Sequence, residues 1–248
     1  MAKLPNAPLQ EAVFELRWTL DVNAANKQEV DTGYDLAQGK LQAQAHERFP
    51  VHIRKSSSLL LPLMYKIAHQ FWRDDNQTFP VLQLGPGVFT VNDTDKNYDW
   101  EKEFFPLIET SLDWLYNAYD GQLQPNFLNL RYIDSVDLGK YDFDGDWLRF
   151  VKDNLKVDLT NHFEHPGNLG HLSINQSFVL DEQSELNISI HSGVDHKTGS
   201  QLLIWQTGVV VVGEIEKADI LQHVQKAHQH TSLLFKKMTK GPFYGSFS

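Results

Sequence analysis

The sequence predicts an α+β fold of antiparallel sheets, with strands in runs separated by single helices. Three observations support this. Short segments alternate apolar and polar residues at the two-residue period of a half-buried strand. These segments come in runs, and each run is followed by a segment whose apolar residues recur at three- and four-residue steps. The pattern occurs on both sides of residue 145, which suggests an N-terminal α+β half (1–145) and a C-terminal α+β half (146–248), compatible with two structurally related halves.

The elements follow in order. EAVFELRWTL sets Phe14, Leu16, Trp18 and Leu20 on one side and Val13, Glu15, Arg17 and Thr19 on the other, a half-buried strand. From Lys27 to Phe49 the spacing of Val30, Tyr34, Ala37, Leu41 and Ala45 is helical, interrupted by Gly33 and Gly39. YKIAHQFW, a turn at DDNQ, FPVLQLG and VFTVN read as an antiparallel meander, with Gly85-Pro86-Gly87 as a tight turn. EKEFFPLIETSLDWLYNAY places Phe104, Ile108, Leu112, Leu115 and Tyr119 on one helix face with Trp100 ahead of them, and Pro106 marks the start of the helix or a kink. PNFLNLRYIDSVDL alternates again, GDWLRFVKDNL is a short helix, and HLSINQSFVL, SELNISIHSG and QLLIWQTGVVVVG are three strands. The last helix is expected from Glu216 to Met238.

Composition removes whole classes of chemistry. With no cysteine, the chain has no disulfide, thiolate zinc site or cysteine nucleophile, which fits a reducing compartment. The first thirty residues hold no apolar stretch of signal-peptide length, and no segment approaches a membrane span, so a cytoplasmic protein with no membrane partner is expected. The net charge of −10 is concentrated in the middle: residues 74–146 carry four Lys/Arg against fifteen Asp/Glu. Such a block repels nucleic-acid phosphate, and it favours a protein partner with a basic surface, or self-association. Its densest part, Asp93, Asp95, Asp99, Glu101 and Glu103 around a helix start, is a candidate docking corner.

The segments NAPLQEAVFELRW, LGPGVFTVN with YDWEKEF, LRYID and the closing AHQHTSLLFKKMT resemble, in this order, a sporadically distributed prokaryotic family of uncharacterised proteins of about this length. The family's pattern has Asn where this chain has Asp134. The resemblance implies no activity. A patchy distribution implies accessory genes of the kind that travel in defence or toxin-related islands, so the expected function is a non-catalytic binding protein, regulatory or antitoxin-like.

Motifs that would contradict that expectation fail on spacing. LGPGV has neither a dinucleotide fingerprint nor the Lys-Ser/Thr of a P-loop, and no cofactor is expected. In DFDGD the glycine is fourth where a calcium loop needs it sixth, so a helix cap at Asp144 or Asp146 is the simpler reading. His162, His165 and His171 supply nitrogen ligands for an alternative, a metal-dependent hydrolase or nucleotide-processing enzyme, but lie in a loop rather than at i and i+4 of a helix. His228 falls among the apolar residues of the last helix, as a hydrogen-bonded core residue. The candidate ligand-binding residues are Glu15 and Arg17 on the first strand and Arg131 and Asp134 on the fifth. An arginine in mid-strand must face solvent, a carboxylate or a bound anion. Two arrangements are open: Arg17 and Arg131 lining one face to hold an anion, or Glu15 with Arg131 and Arg17 with Asp134 as cross-strand pairs.

Overall fold

The computed structural model describes residues 4–25, 27–55, 64–94, 98–163, 167 and 169–248. In chain order the elements are β1 (Leu9–Trp18), β2 (Asp21–Val22), β3 (Glu29–Val30), α1 (Tyr34–Ala45), β4 (Val51–Arg54), β5 (His69–Trp72), β6 (Val81–Gly85) and β7 (Val88–Asp93). A π-helical turn (Trp100–Phe104) then runs into α2 (Phe105–Ala118), followed by β8 (Pro125–Asp137), α3 (Trp147–Leu155), β9 (Ser173–Val179), β10 (Ser184–Val194), β11 (Gln201–Val212), α4 (Ile220–Met238) and α5 (Pro242–Gly245). Nine strands form one antiparallel sheet in the order β4-β5-β6-β7-β1-β8-β11-β10-β9, and β2 pairs with β3. The class is α+β, as the alternation of strand runs and single helices predicts. A strand, a helix, a run of strands and a helix occur twice, and each time the first strand lies beside the last of its run: β1 by β7, β8 by β11. Among the described residues, no helix is long and apolar enough to cross a membrane.

The chain divides into two compact units. The first comprises Glu11–Leu130 and Val210–Gln225; the second comprises Met1–Gln10, Arg131–Val209 and Lys226–Ser248. Their boundary runs inside β1, β8, β11 and α4 rather than near residue 145. Composition reveals linkers, and a division that falls within regular elements leaves no such mark. The sequence also predicts a longer helix than α1 and no strand at β4, because two- and four-residue strands are too short to establish a period.

In the first unit, register fixes which side chains share a face. Pairing of β5, β6, β7 and β1 puts Phe71, Leu82, Val91 and Phe14 in one row and His69, Leu84, Phe89 and Leu16 in the next. All are buried, and α1 meets this face where the Tyr34 ring stands 6.0 Å from His69. The opposite face of β1, β5 and β7 is buried too, so β1 is not the half-buried strand its alternation predicts. The Gly85-Pro86-Gly87 turn closes the β6–β7 hairpin: Gly87 has a φ of +75°, and a Cβ on Gly85 would stand 1.9 Å from the Lys66 carbonyl oxygen. At the next corner, the Asp99 carboxylate accepts from the Lys102 backbone N–H (3.0 Å) and caps the π-helical turn.

The second unit is built around an aromatic and aliphatic core. Phe150 of α3, Trp205 of β11, and Phe243 and Phe247 at the C-terminal end meet with ring centroids 5.0–6.3 Å apart. Asp146 caps α3 by accepting from the Arg149 N–H (3.0 Å), and Asp144 forms an ion pair with the Arg149 side chain, which confirms a turn-and-cap role for DFDGD. Because Phe243 is a fully packed ring in this core, Phe243→Ala is expected to destabilise the protein by about 3–5 kcal/mol in urea unfolding, whereas the exposed Phe163→Ala changes stability by less than about 0.5 kcal/mol.

Candidate functional site

The second face of the first unit's sheet carries a row of buried or half-buried polar side chains among buried apolar ones such as Val13, Val81 and Val88. Gln70 of β5 lies opposite Gln83 of β6, Gln83 opposite Thr90 of β7, and Thr90 opposite Glu15 of β1. Their side chains are joined in series. The Gln70 amide Nε2 donates to Gln83 Oε1 (2.9 Å), Gln83 Nε2 donates to Asn92 Oδ1 (3.0 Å), and Asn92 Nδ2 donates to Glu11 Oε1 (2.6 Å). Thr90 Oγ1 adds a second donor to Asn92 Oδ1 at 2.7 Å.

Glu11 sets the direction of this chain. A carboxylate only accepts, so the Asn92 amide must turn its NH₂ to Glu11 and its carbonyl to Gln83, and each amide orients the next. The chain therefore ends in a carbonyl: Gln70 Oε1 is buried and has no hydrogen-bond partner among the described residues. Trp72 Nε1, two residues along β5 and on the same face as Gln70, is also buried and without a hydrogen-bond partner among the described residues. An unpaired buried polar atom costs about 1–3 kcal/mol, so the Gln70 carbonyl marks a place where a further hydrogen-bond donor fits.

The sequence-derived candidates meet this face in part. Arg17 forms an ion pair with Glu15 two residues back on the same strand, its Nε donating to Glu15 Oε1 at 2.6 Å. Its guanidinium lies 4.6 Å from the Phe127 ring centroid and 5.6 Å from that of Tyr65. Arg17 is therefore held by a carboxylate and two rings, and its ion pair is with Glu15. Arg131 and Asp134 stand three residues apart on β8 and so point to opposite faces, Asp134 inward and buried. Gln70, Gln83, Thr90 and Asn92 escaped the sequence reading. The signal was present as polar residues at every second position of otherwise apolar strands, but only the strand register brings them together.

The acidic corner departs further from expectation. Asp93 is fully buried and accepts from the Thr94 N–H (2.8 Å), so it offers nothing to a docking partner. Glu103 accepts from both Arg48 (2.8 Å) and Arg73. Asp99 is occupied as a cap, Glu101 is exposed, and Asp95 lies outside the described residues. Of the histidines, His162 and His171 are exposed, His171 hydrogen-bonds Ser192 Oγ (2.8 Å), and His165 lies outside the described residues. Among the described residues, no group of three or more His, Cys, Asp or Glu side chains is placed to hold a metal.

Two further polar groupings came to light. In the first unit His52 Nε2 and His69 Nδ1 are 2.7 Å apart with stacked rings; burial, then the neighbouring His52 and Arg54, lowers the His69 pKa to about 4. In the second unit the Tyr132 hydroxyl hydrogen-bonds His228 Nδ1 (2.8 Å), which bears out the hydrogen-bonded core role of that histidine; burial lowers the His228 pKa to about 4. Asp134 shares the inward face of β8 with Tyr132, and burial alone pushes its pKa up to about 8.

No family model matches the chain, and no curated protein matches it in sequence. Among solved structures, the di-domain ARO/CYC StfQ from the steffimycin biosynthetic pathway aligns over 93% of this chain and 96% of its own, at 10% identity and a TM-score of 0.18. At that score the likeness carries no argument about fold or activity.

Two outcomes follow from the site. Asn92→Leu removes the shared acceptor of Gln83 and Thr90 and the donor to Glu11, and is expected to cost about 2–4 kcal/mol in chemical unfolding. For Asp134, the folded state keeps its proton up to about pH 8, whereas the unfolded chain releases it near the ordinary value of 3.8. Its stabilising contribution is thus fully present below about pH 4 and is lost as pH rises towards 8. Asp134→Asn should flatten that decline and make the protein at least about 1 kcal/mol more stable than wild type at pH 8, measured by urea unfolding at pH 5.5 and 8.

Proposed function

We propose that the protein is a non-catalytic binding protein, an accessory or regulatory component of a prokaryotic defence or toxin-related system. The observation that carries the binding reading is the oriented amide chain ending at Gln70 Oε1. Amides and hydroxyls do not exchange protons near neutral pH, so this row suits recognition better than acid–base chemistry. Its free end calls for a partner group that donates a hydrogen bond. The system-level part rests on the family resemblance and on the expectation of a protein partner.

A second reading, a hydrolase or nucleotide-processing enzyme with a His/acid site, is favoured by the Tyr132–His228 hydrogen bond on the strand face that also carries Asp134. Groups with shifted pKa values concentrate at catalytic sites, although buried structural groups show the same shifts. Hydrolytic turnover of a phosphate or nucleotide ester that disappears in His228→Gln would favour this reading.

The binding reading is tested with Gln70→Met. Gln70→Met removes the orphan carbonyl but also the amide that donates to Gln83 Oε1, so a loss of stability of no more than about 2 kcal/mol is expected. Cross-linked affinity capture from the native cells should then recover a stoichiometric partner with wild type and not with the variant. Recovery of the same partner by a folded Gln70→Met protein, or of none by wild type, counts against the reading.

A further inference from the structure

A second site lies in the first unit, away from the amide chain. A cavity of about 580 Å³ opens between the end of β1, the segment leading into α1 and the end of α2; its wall includes Trp18, Asp31, Gly33, Leu36 and Tyr119. Asp31 is held by three hydrogen bonds. Its Oδ2 accepts from the Trp18 indole N–H (3.2 Å), the Tyr119 hydroxyl (2.9 Å) and the Gly87 backbone N–H (2.9 Å). All three donors are neutral. Among the described residues no Lys, Arg or His forms an ion pair with Asp31, and its Oδ1 receives no donor.

We infer that this cavity binds an organic monocation, through a primary ammonium or guanidinium head group set against Asp31 between Trp18 and Tyr119. Three donors on one oxygen fix the carboxylate's orientation before any ligand arrives, which reduces the ordering cost of binding. The two rings meet edge to face, 5.2 Å between centroids, and it is an aromatic π-face, not an edge, that attracts a cation. The neighbouring carboxylates reinforce the sign of the potential: Asp21 and Asp120 also line the cavity, the first hydrogen-bonded by Thr32 and the second paired with Lys40 at 2.7 Å. Gly33 keeps the wall open, since a Cβ there would stand 3.0 Å from the Tyr119 ring and 3.8 Å from Asp31 Oδ1.

The same head group occurs on free amines and on lysine or arginine side chains of a protein. The experiment is calorimetric titration of the whole protein with butylammonium, butylguanidinium, N-acetyl-lysine methylamide and, as a neutral shape control, butylurea. At least one of the cations should bind saturably and butylurea should not. Tighter binding of the lysine amide than of butylammonium identifies a protein-borne head group, and the reverse identifies a free amine. Asp31→Asn should weaken cation binding by on the order of tenfold or more. Because Asp31→Asn can also disturb folding, Leu36→Arg serves as the second variant: position 36 is exposed at the cavity wall, and a tethered guanidinium there should compete with the free ligands. Absence of saturable binding by every cation, equal binding of butylurea, or wild-type affinity in a folded Leu36→Arg protein would overturn the inference.

Discussion

Burial of β1, β5 and β7 on both faces is the constraint from which the first unit's organisation follows. A strand buried on one face can leave its polar side chains to water. A strand buried on both must either be apolar throughout or pair every polar group it carries. Here one face is apolar and the other carries a hydrogen-bonded series, and the single ionisable member at its end, Glu11, determines how the amides turn. Orientation imposed from one end leaves an orphan at the other. The unpaired Gln70 carbonyl is thus a consequence of the Glu11 carboxylate three strands away in the same sheet.

Asp31 plays a comparable organising part on the other side of the unit. By accepting from Trp18, Gly87 and Tyr119 it ties the end of β1, the β6–β7 turn and the end of α2 to the segment before α1. The Gly-Pro-Gly stretch, which reads in sequence like a ligand loop, is a hairpin turn whose backbone N–H serves this carboxylate. Both groups show one physical rule: neutral donors fix the geometry of a carboxylate.

Part of the acidic middle of the chain is paired within the protein. Glu103 takes Arg48 and Arg73, and Asp120 takes Lys40, all partners from the preceding, mildly basic segment. Asp113 lies 4.0 Å from Lys217. Asp134 shows the opposite response to burial: without a cation or donor, the carboxyl rises in pKa and the charge is given up.

Period and punctuation in the sequence determined the α+β class, the nine-stranded sheet's longer members, the helix faces, the Gly-Pro-Gly turn and the Asp146 cap, because each depends on residues within a few positions of one another. They also brought out Glu15 and Arg17, since a charged pair in mid-strand is conspicuous by type alone. What tertiary structure decided was partnership. Only strand register aligns Gln70 with Gln83 and Thr90, and only the folded chain brings Asp31 to Tyr119 and Glu103 to Arg48. Those choices depend on contacts between residues far apart in sequence, whose energies are set by burial and geometry, and neither is written in the local pattern of the chain.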